Sequence, residues 1–326
     1  MTAIKVDNLQ KYFHIYKRQG GVFSALKSLF NRKKVDIKAV DNISFEIAQG
    51  ELVGFIGPNG AGKTTTLKCL SGLLYPSSGT ISVLGYTPFD RKTDYLKKIS
   101  LVMGQKNQLY WDLPAMDTFK LNKEIYEIDD REFEATLKHL TSLLHITDLI
   151  DVPTRQLSLG QRMKMELVAS LIHKPKVLYL DEPTIGLDVV MQKAMRDFIT
   201  DYNKKFEATI ILTSHYMDDV KKLCKRLIII DRGKLIYDGT LDKLVEKYAD
   251  SKFISVEVQN RITEEALNQL GFLHSFEPPK AVFNVPRNKV NKFVSIILNK
   301  LKVEDLIIQE PEIEEIIRTV FNKGKS

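Results

Sequence analysis

Short, unbroken apolar runs recur along the first three quarters of the chain and alternate with segments of helical spacing. Leu52-Val-Gly-Phe-Ile56, Lys98-Ile-Ser-Leu-Val-Met103, Val177-Leu-Tyr-Leu180, Thr209-Ile-Ile-Leu-Thr-Ser214 and Leu227-Ile-Ile-Ile230 have the length and continuous hydrophobicity of strands buried on both faces. Ile4 to Phe13, Ala39 to Ile47 and Thr80 to Leu84 also carry strand patterning, and Lys234-Leu-Ile-Tyr237 follows the Asp231-Arg-Gly233 turn as a closing strand. Phe119, Leu121 and Ile125, then Leu137, Leu140, Leu143 and Leu144, fall at helical spacing, and a further helix opens at Leu157-Ser-Leu-Gly-Gln161 and runs through Met163, Leu167 and Leu171. Strands alternating with helices predict an α/β fold with a mostly parallel sheet, into which a helical subdomain of about residues 106–165 is inserted.

Beyond Gly239 the texture changes. A short helix over Leu241 to Tyr248, strands over Phe253 to Val258, Ala281 to Val285 and Asp305 to Gln309, and helices over Thr263 to Leu270 and Val290 to Leu301 predict a small α+β accessory domain of residues 241–326, after a first domain of residues 1–240. Pro311 is placed to open a terminal helix reaching Phe321. No catalytic constellation falls in this part, which points to a regulatory or dimer-forming role.

Composition adds three bounds. The chain of 326 residues is 44% hydrophobic and 27% charged, ordinary for a globular protein of two domains. No run approaches the length of a membrane span, and the first residues are too polar for a signal peptide, so the chain is expected in the cytosol unless a partner holds it at a membrane. Cys69 and Cys224 lie in apolar-periodic segments without zinc or disulfide spacing and are expected as buried thiols. The net charge of +7 is concentrated between His14 and Lys38, where seven basic residues face one acidic residue. A diffuse nucleic-acid-binding surface is therefore not expected. Within this basic insertion Val22, Phe23, Leu26, Leu29 and Phe30 share a helical face, while Lys27 and Arg32 to Lys34 lie off it or beyond its end. Such a segment suits either a surface helix on its own domain or an amphipathic contact of residues 22–34 with a membrane or membrane protein.

The candidate chemistry begins with Gly57, Pro58, Asn59, Gly60, Ala61, Gly62, Lys63, Thr64 and Thr65, which fit G-x-x-x-x-G-K-[ST] between a predicted strand and a predicted helix. The glycines let backbone N–H groups converge on phosphate, the helix adds its positive end, Lys63 reaches the outer phosphates, and the Thr64 hydroxyl serves Mg²⁺. Asp181-Glu182 at the end of a buried strand presents two carboxylates, and His215 follows another such strand.

Taken in order, these motifs resemble the ATP-binding subunit of ABC transporters, with Leu157-Ser-Leu-Gly-Gln161 differing at Leu159 from that family's usual Leu-Ser-Gly-Gly-Gln signature. The resemblance implies a P-loop ATPase fold with ATP and Mg²⁺ as ligands. It implies that Asp181, Thr64 and Gln105 serve the metal, that Glu182 is the general base, and that His215 is the switch histidine, with Gln105 also reaching the attacking water. Phe13, with Tyr12 beside it, matches the aromatic that stacks on adenine, and Asp188 matches the D-loop. Ser158, Gly160 and Gln161 would meet the ATP held by a second copy, or by a close homologue, so that the two close head to tail around two ATP molecules. The stretches Gly104 to Pro114 and Glu182 to Val190, with the basic insertion, resemble the ABC-2 exporter branch. That implies separate integral membrane permease subunits, a peripheral place on the cytoplasmic face of the cell membrane, and export of a drug, lipid-linked or peptide-like substrate. A soluble ATPase of the same family acting on nucleic acid or ribosomes is the alternative; the short interval from Lys63 to Ser158 and the single cassette count against it. A regulatory nucleotide-binding module without turnover is a second alternative, against which Glu182 and His215 count.

Overall fold

The computed structural model describes residues 1–16, 34–103, 108–258 and 262–323. Most of the basic insertion, residues 17–33, and Gln105 lie outside the described residues. The chain forms two compact units, Met1–Asp238 and Gly239–Ser326.

In the first unit β1 (Thr2–Tyr16), β2 (Lys34–Ala48) and β4 (Ser78–Val83) form an antiparallel sheet in the order β2-β1-β4. A second sheet contains β3 (Leu52–Ile56), β5 (Ile99–Met103), β6 (Val177–Asp181), β7 (Thr209–Thr213), β8 (Arg226–Asp231) and β9 (Lys234–Thr240), in the order β5-β6-β7-β3-β8-β9. The pairs from β5 through β8 are parallel. A mostly parallel sheet is thus present, but the first three strands with ordinary alternation stand apart as their own sheet. The difference has a physical reason: β6 and β7 are buried at every position and need cover on both faces, whereas alternate positions of β2 are exposed. One core joins the two sheets, with Ile4, Val6, Ile43, Phe45 and Ile47 packed in the same cluster as Phe55, Leu67, Leu70, Tyr179 and Ile228.

The helix α1 (Lys63–Leu70) follows β3, and the short α2 (Thr93–Leu96) precedes β5. Next come α3 (Ala115–Tyr126), α4 (Asp130–Leu143, capped by Asp129) and α5 (Leu159–Leu171), which bury Phe119, Phe133, Leu137, Leu140, Leu167 and Leu171. The helices α6 (Val189–Phe206) and α7 (Met217–Leu223) complete the unit. Both cysteines are buried free thiols, and burial pushes Cys69 up to about 11.

His173, just past α5, lies flat on Tyr126 with ring centroids 3.8 Å apart, and its Nε2–H donates to Ile99 O at 3.0 Å. Its Nδ1 is buried without a partner, as suits a neutral ring, and burial lowers its pKa from 6.5 to about 4. Because the folded value lies below the unfolded one, the stabilisation is complete above pH 6.5 and lost as pH falls towards 4. At about 1.4 kcal/mol per pKa unit, His173→Phe should remove on the order of 3 kcal/mol of acid sensitivity, about 3.5 at most, read by urea denaturation at several pH values. An unchanged pH profile would contradict this assignment.

In the second unit β10 (Ser251–Val258), β11 (Leu273–Glu277), β12 (Lys280–Pro286) and β13 (Val303–Gln309) form an antiparallel sheet in the order β11-β12-β10-β13. The helices are α8 (Leu241–Tyr248), α9 (Glu264–Asn268), α10 (Val290–Lys300) and α11 (Ile313–Lys323). Ile254, Val256, Phe283, Leu267, Phe293 and Ile297 make the core, and α11 packs on α8. Two helices start or stop inside their expected bounds. The regular helix of α9 ends at Asn268, because Leu270 and Gly271 turn back onto Leu267 and Asn268 ahead of Gly271 at φ +81°. The terminal helix begins at Ile313, two residues beyond Pro311.

Candidate nucleotide site

The phosphate loop leaves β3 at Ile56 and enters α1 at Lys63. Two of its glycines are fixed by close approach. A Cβ at Gly57 would sit 2.2 Å from Ile230 O, and one at Gly62, where φ is +106°, would sit 2.3 Å from Ala39 O. Any side chain there would force the loop away from β8 and β2. Pro58, Asn59 and Gly60 form the exposed rim, Ala61 is buried, and Thr64 and Thr65 are half-buried. The first bond of the α1 ladder runs from Thr66 N to Gly62 O at 2.9 Å, so the amides of Lys63, Thr64 and Thr65 precede it. Lys63 is only 6% exposed and folds its ammonium into the loop, donating to Gly57 O at 2.6 Å and Pro58 O at 3.2 Å. Burial lowers its pKa, with Glu182 and Asp181 pulling the other way. A cation inside a ring of glycine-fixed backbone, beside free helix-start amides, fits a polyphosphate.

The strand order β6-β7-β3 brings the carboxylates to this loop. Thr64 donates its hydroxyl to Asp181 Oδ2 at 2.8 Å, and Thr213 donates to Asp181 Oδ1 at 2.7 Å. Thr64 and Asp181 thus present hard oxygen donors side by side at the loop, which is the donor chemistry Mg²⁺ accepts while keeping its other positions for water and phosphate. Glu182 sits in the left-handed region at φ +57°, its amide donating to Thr213 O and Oγ1, both at 3.1 Å. Its Oε1 lies 2.7 Å from His215 Nε2. The carboxylate is therefore aimed by its own backbone and by the histidine just past the end of β7.

Behind this pair is a buried network that the sequence does not advertise. Asp219 accepts from Thr184 at 2.6 Å and from Ser214 at 3.2 Å, and pairs with Arg196 at 2.5 Å. It thereby joins the segment after Glu182 to the residue before His215. Asp219→Asn leaves the Arg196 guanidinium buried and unpaired, and should lower unfolding free energy by about 3–5 kcal/mol in denaturant titration. A change under about 1 kcal/mol would show the pair to be dispensable.

The signature is built differently. Ser158 caps α5 in a capping box: its Oγ accepts from Gln161 N at 3.2 Å, and Gln161 Oε1 accepts from Ser158 N at 2.9 Å. A Cβ on Gly160 would meet Met191 Cε at 2.7 Å, and the Leu159 side chain lies against Gly186. Asp188 caps α6, accepting from Met191 N at 2.8 Å. Ser158, Gly160, Gln161 and Asp188 share a cleft of about 520 Å³ with Lys164 and His145, and no residue of Gly57 to Thr65 lines it. The cleft at the signature is thus built without any residue of the phosphate loop.

Of the two aromatic candidates, Tyr12 is tied down, its hydroxyl donating to Gln10 Oε1 at 2.7 Å and to Asp41 Oδ1 at 3.2 Å. Phe13 is 38% exposed with Lys11 Nζ 5.3 Å from its ring centre. Phe13 is therefore the more exposed of the two rings. Among the described residues no group of three or more His, Cys, Asp and Glu could hold a metal, and no helix is long and apolar enough to cross a membrane.

Residues 40–185 match the family described as ABC transporter, and residues 250–309 match the one described as EvrA-like ABC transporter, C-terminal domain. The chain is 35% identical over 217 residues to the ABC transporter ATP-binding protein NatA of Bacillus subtilis (strain 168), an alignment covering 67% of this chain and 88% of that protein. It is 31% identical over 294 residues to the bacitracin transport ATP-binding protein BcrA of Bacillus licheniformis, covering 88% and 94%. Its fold is similar to that of the ATP-binding cassette MJ0796, solved as a dimer in a post-hydrolysis state with ADP and Pi, at a TM-score of 0.60 and 21% identity over 73% of this chain and 98% of that one.

Proposed function

The chain belongs to the ATP-binding subunits of ABC transporters and is an ATPase of that family, and we propose that it works as half of a head-to-tail pair that powers an ABC-2-type exporter. The observation that carries this reading is the division of the site. Ser158, Gly160, Gln161 and Asp188 line a cleft that contains no phosphate-loop residue, which supports a second copy bringing its own loop to them.

In this reading the amides at the start of α1 and Lys63 bind the β- and γ-phosphates, and Phe13 stacks on adenine. Thr64, Asp181 and Gln105 would hold Mg²⁺, which when bound would offset the charge of the phosphates. Glu182 takes a proton from the attacking water, and His215, 2.7 Å from that carboxylate, keeps it aimed and reaches the γ-phosphate. Ser158 and Gly160 of the second copy add donors from a helix start.

Closure of the pair would be passed to integral membrane permease subunits docked near Gln105 and the helical segment, with residues 22–34 as a further contact to membrane or permease. The chain would then sit peripherally on the cytoplasmic face of the cell membrane. Export of a drug, lipid-linked or peptide-like substrate accords with one relative being a bacitracin transport ATP-binding protein. The relatives reported are transporter subunits, which disfavours action on nucleic acid or ribosomes. Steady-state MgATP hydrolysis by the purified chain tests the pairing: the rate per chain should rise with chain concentration until the pair saturates. A rate per chain that is constant down to high dilution would sink it.

A further inference from the structure

We propose that Glu166 is a positioning residue that clamps the exposed loop 108–114 to the signature helix α5, so that the loop and the signature move as one body. Glu166 lies two turns beyond Ser158 on α5 and is 2% exposed, a place where a carboxylate is costly unless its bonds are made. Those bonds go to backbone amides of the loop. Gln108 N donates to Oε2 at 2.8 Å and to Oε1 at 3.0 Å, and Leu109 N donates to Oε1 at 3.2 Å. Hydrogen bonds to an ionised acceptor are about twice as strong as neutral ones, which offsets the cost of burying the carboxylate.

The same helix holds the loop at two more points. Ser170 accepts from Gln108 Nε2 at 3.1 Å, and Arg162 lies over the Trp111 ring at 5.7 Å. At its far end the loop is bonded to the turn that leads into the signature, by Arg155 N to Trp111 O at 2.9 Å and Thr154 N to Leu113 O at 3.0 Å. Its outer side presents Tyr110, Trp111 and Leu113, which are 55%, 54% and 45% exposed. A displacement of that apolar surface therefore has a short, polar and buried route to Ser158 and Gly160.

This rests on the reading above, in which Ser158 and Gly160 meet nucleotide on a second copy. Trp111 is the only tryptophan of the chain, so its emission reports the loop. The test is made on the full chain carrying Glu182→Gln, which should bind MgATP with turnover strongly slowed. MgATP should shift Trp111 emission in that chain. Adding Glu166→Ala should abolish the shift and raise acrylamide quenching of Trp111, while ATP affinity changes by less than about two-fold. Glu166→Gln, which keeps the volume and one acceptor oxygen, should leave a reduced shift, and it carries the test if the alanine variant does not fold. A full shift in both variants with ATP bound overturns the clamp, as does an absent shift in the parent with ATP bound. Failure of every chain to bind ATP overturns the functional reading, and the clamp with it.

Discussion

Glu182→Gln should lower MgATP turnover by about 10²–10⁴-fold while leaving ATP affinity within a few-fold of the parent. Glutamine has the shape of glutamate and can still accept a hydrogen bond from His215, but it cannot take a proton from water. The position is held by the backbone and not by the side chain's charge. Glu182 occupies a left-handed conformation, and its amide is fixed by Thr213. The substitution therefore removes the proton acceptor and leaves β6, Asp181 and Thr64 where they are. Phosphate release and equilibrium ATP binding, measured on the same preparation, check both halves. Turnover within about ten-fold of the parent would remove Glu182 from the role of base.

Lys63→Ala should cost about 3 kcal/mol of ATP binding, on the order of 10²-fold in affinity. The Lys63 ammonium is buried and bonded to two loop carbonyls, and burial has already lowered its pKa. Phosphate oxygens offer it full charge in place of partial charge, so its interaction with bound nucleotide is much stronger than its interaction with the empty loop. For the same reason the nucleotide-free protein should lose little stability. Calorimetric titration with ATP and a thermal melt without it separate the two effects. Unchanged affinity would mean that the helix-start amides hold the phosphates alone.

How much of this was legible in the sequence depended on whether a residue's chemistry was local. The phosphate loop, the acidic strand end and the Ser158 cap are short motifs whose neighbours in sequence are their neighbours in space. The parallel strands were equally plain, because burial on both faces leaves an unbroken apolar run such as Val177 to Leu180. Thr213, Asp219 and Glu166 gave no such sign. Their partners lie 32, 35 and 58 residues away, across strand pairing and helix packing. Thr213 could have been anticipated only from the register that sets it opposite Asp181.

Helices α2, α6 and α7 and strand β11 also escaped, and for α6 and β11 the reason is visible. Helix α6 carries Met195, Phe198, Ile199 and Tyr202 at helical spacing, but its exposed start at Val189 and Val190 reads as the end of the Asp188 motif. Strand β11 turns only Leu273 and Phe276 to the core, and a register shift between Leu273 and Ser275 breaks the period of two that would have revealed it.

The division of the nucleotide site between two copies is the central claim, and the mass of the Glu182→Gln chain in solution tests it most directly. Without nucleotide, or with ATP and no divalent cation, the chain should sediment as a monomer. With MgATP its mass should double, with one ATP retained per chain. A chain that binds MgATP and remains a monomer at every concentration would contradict the claim.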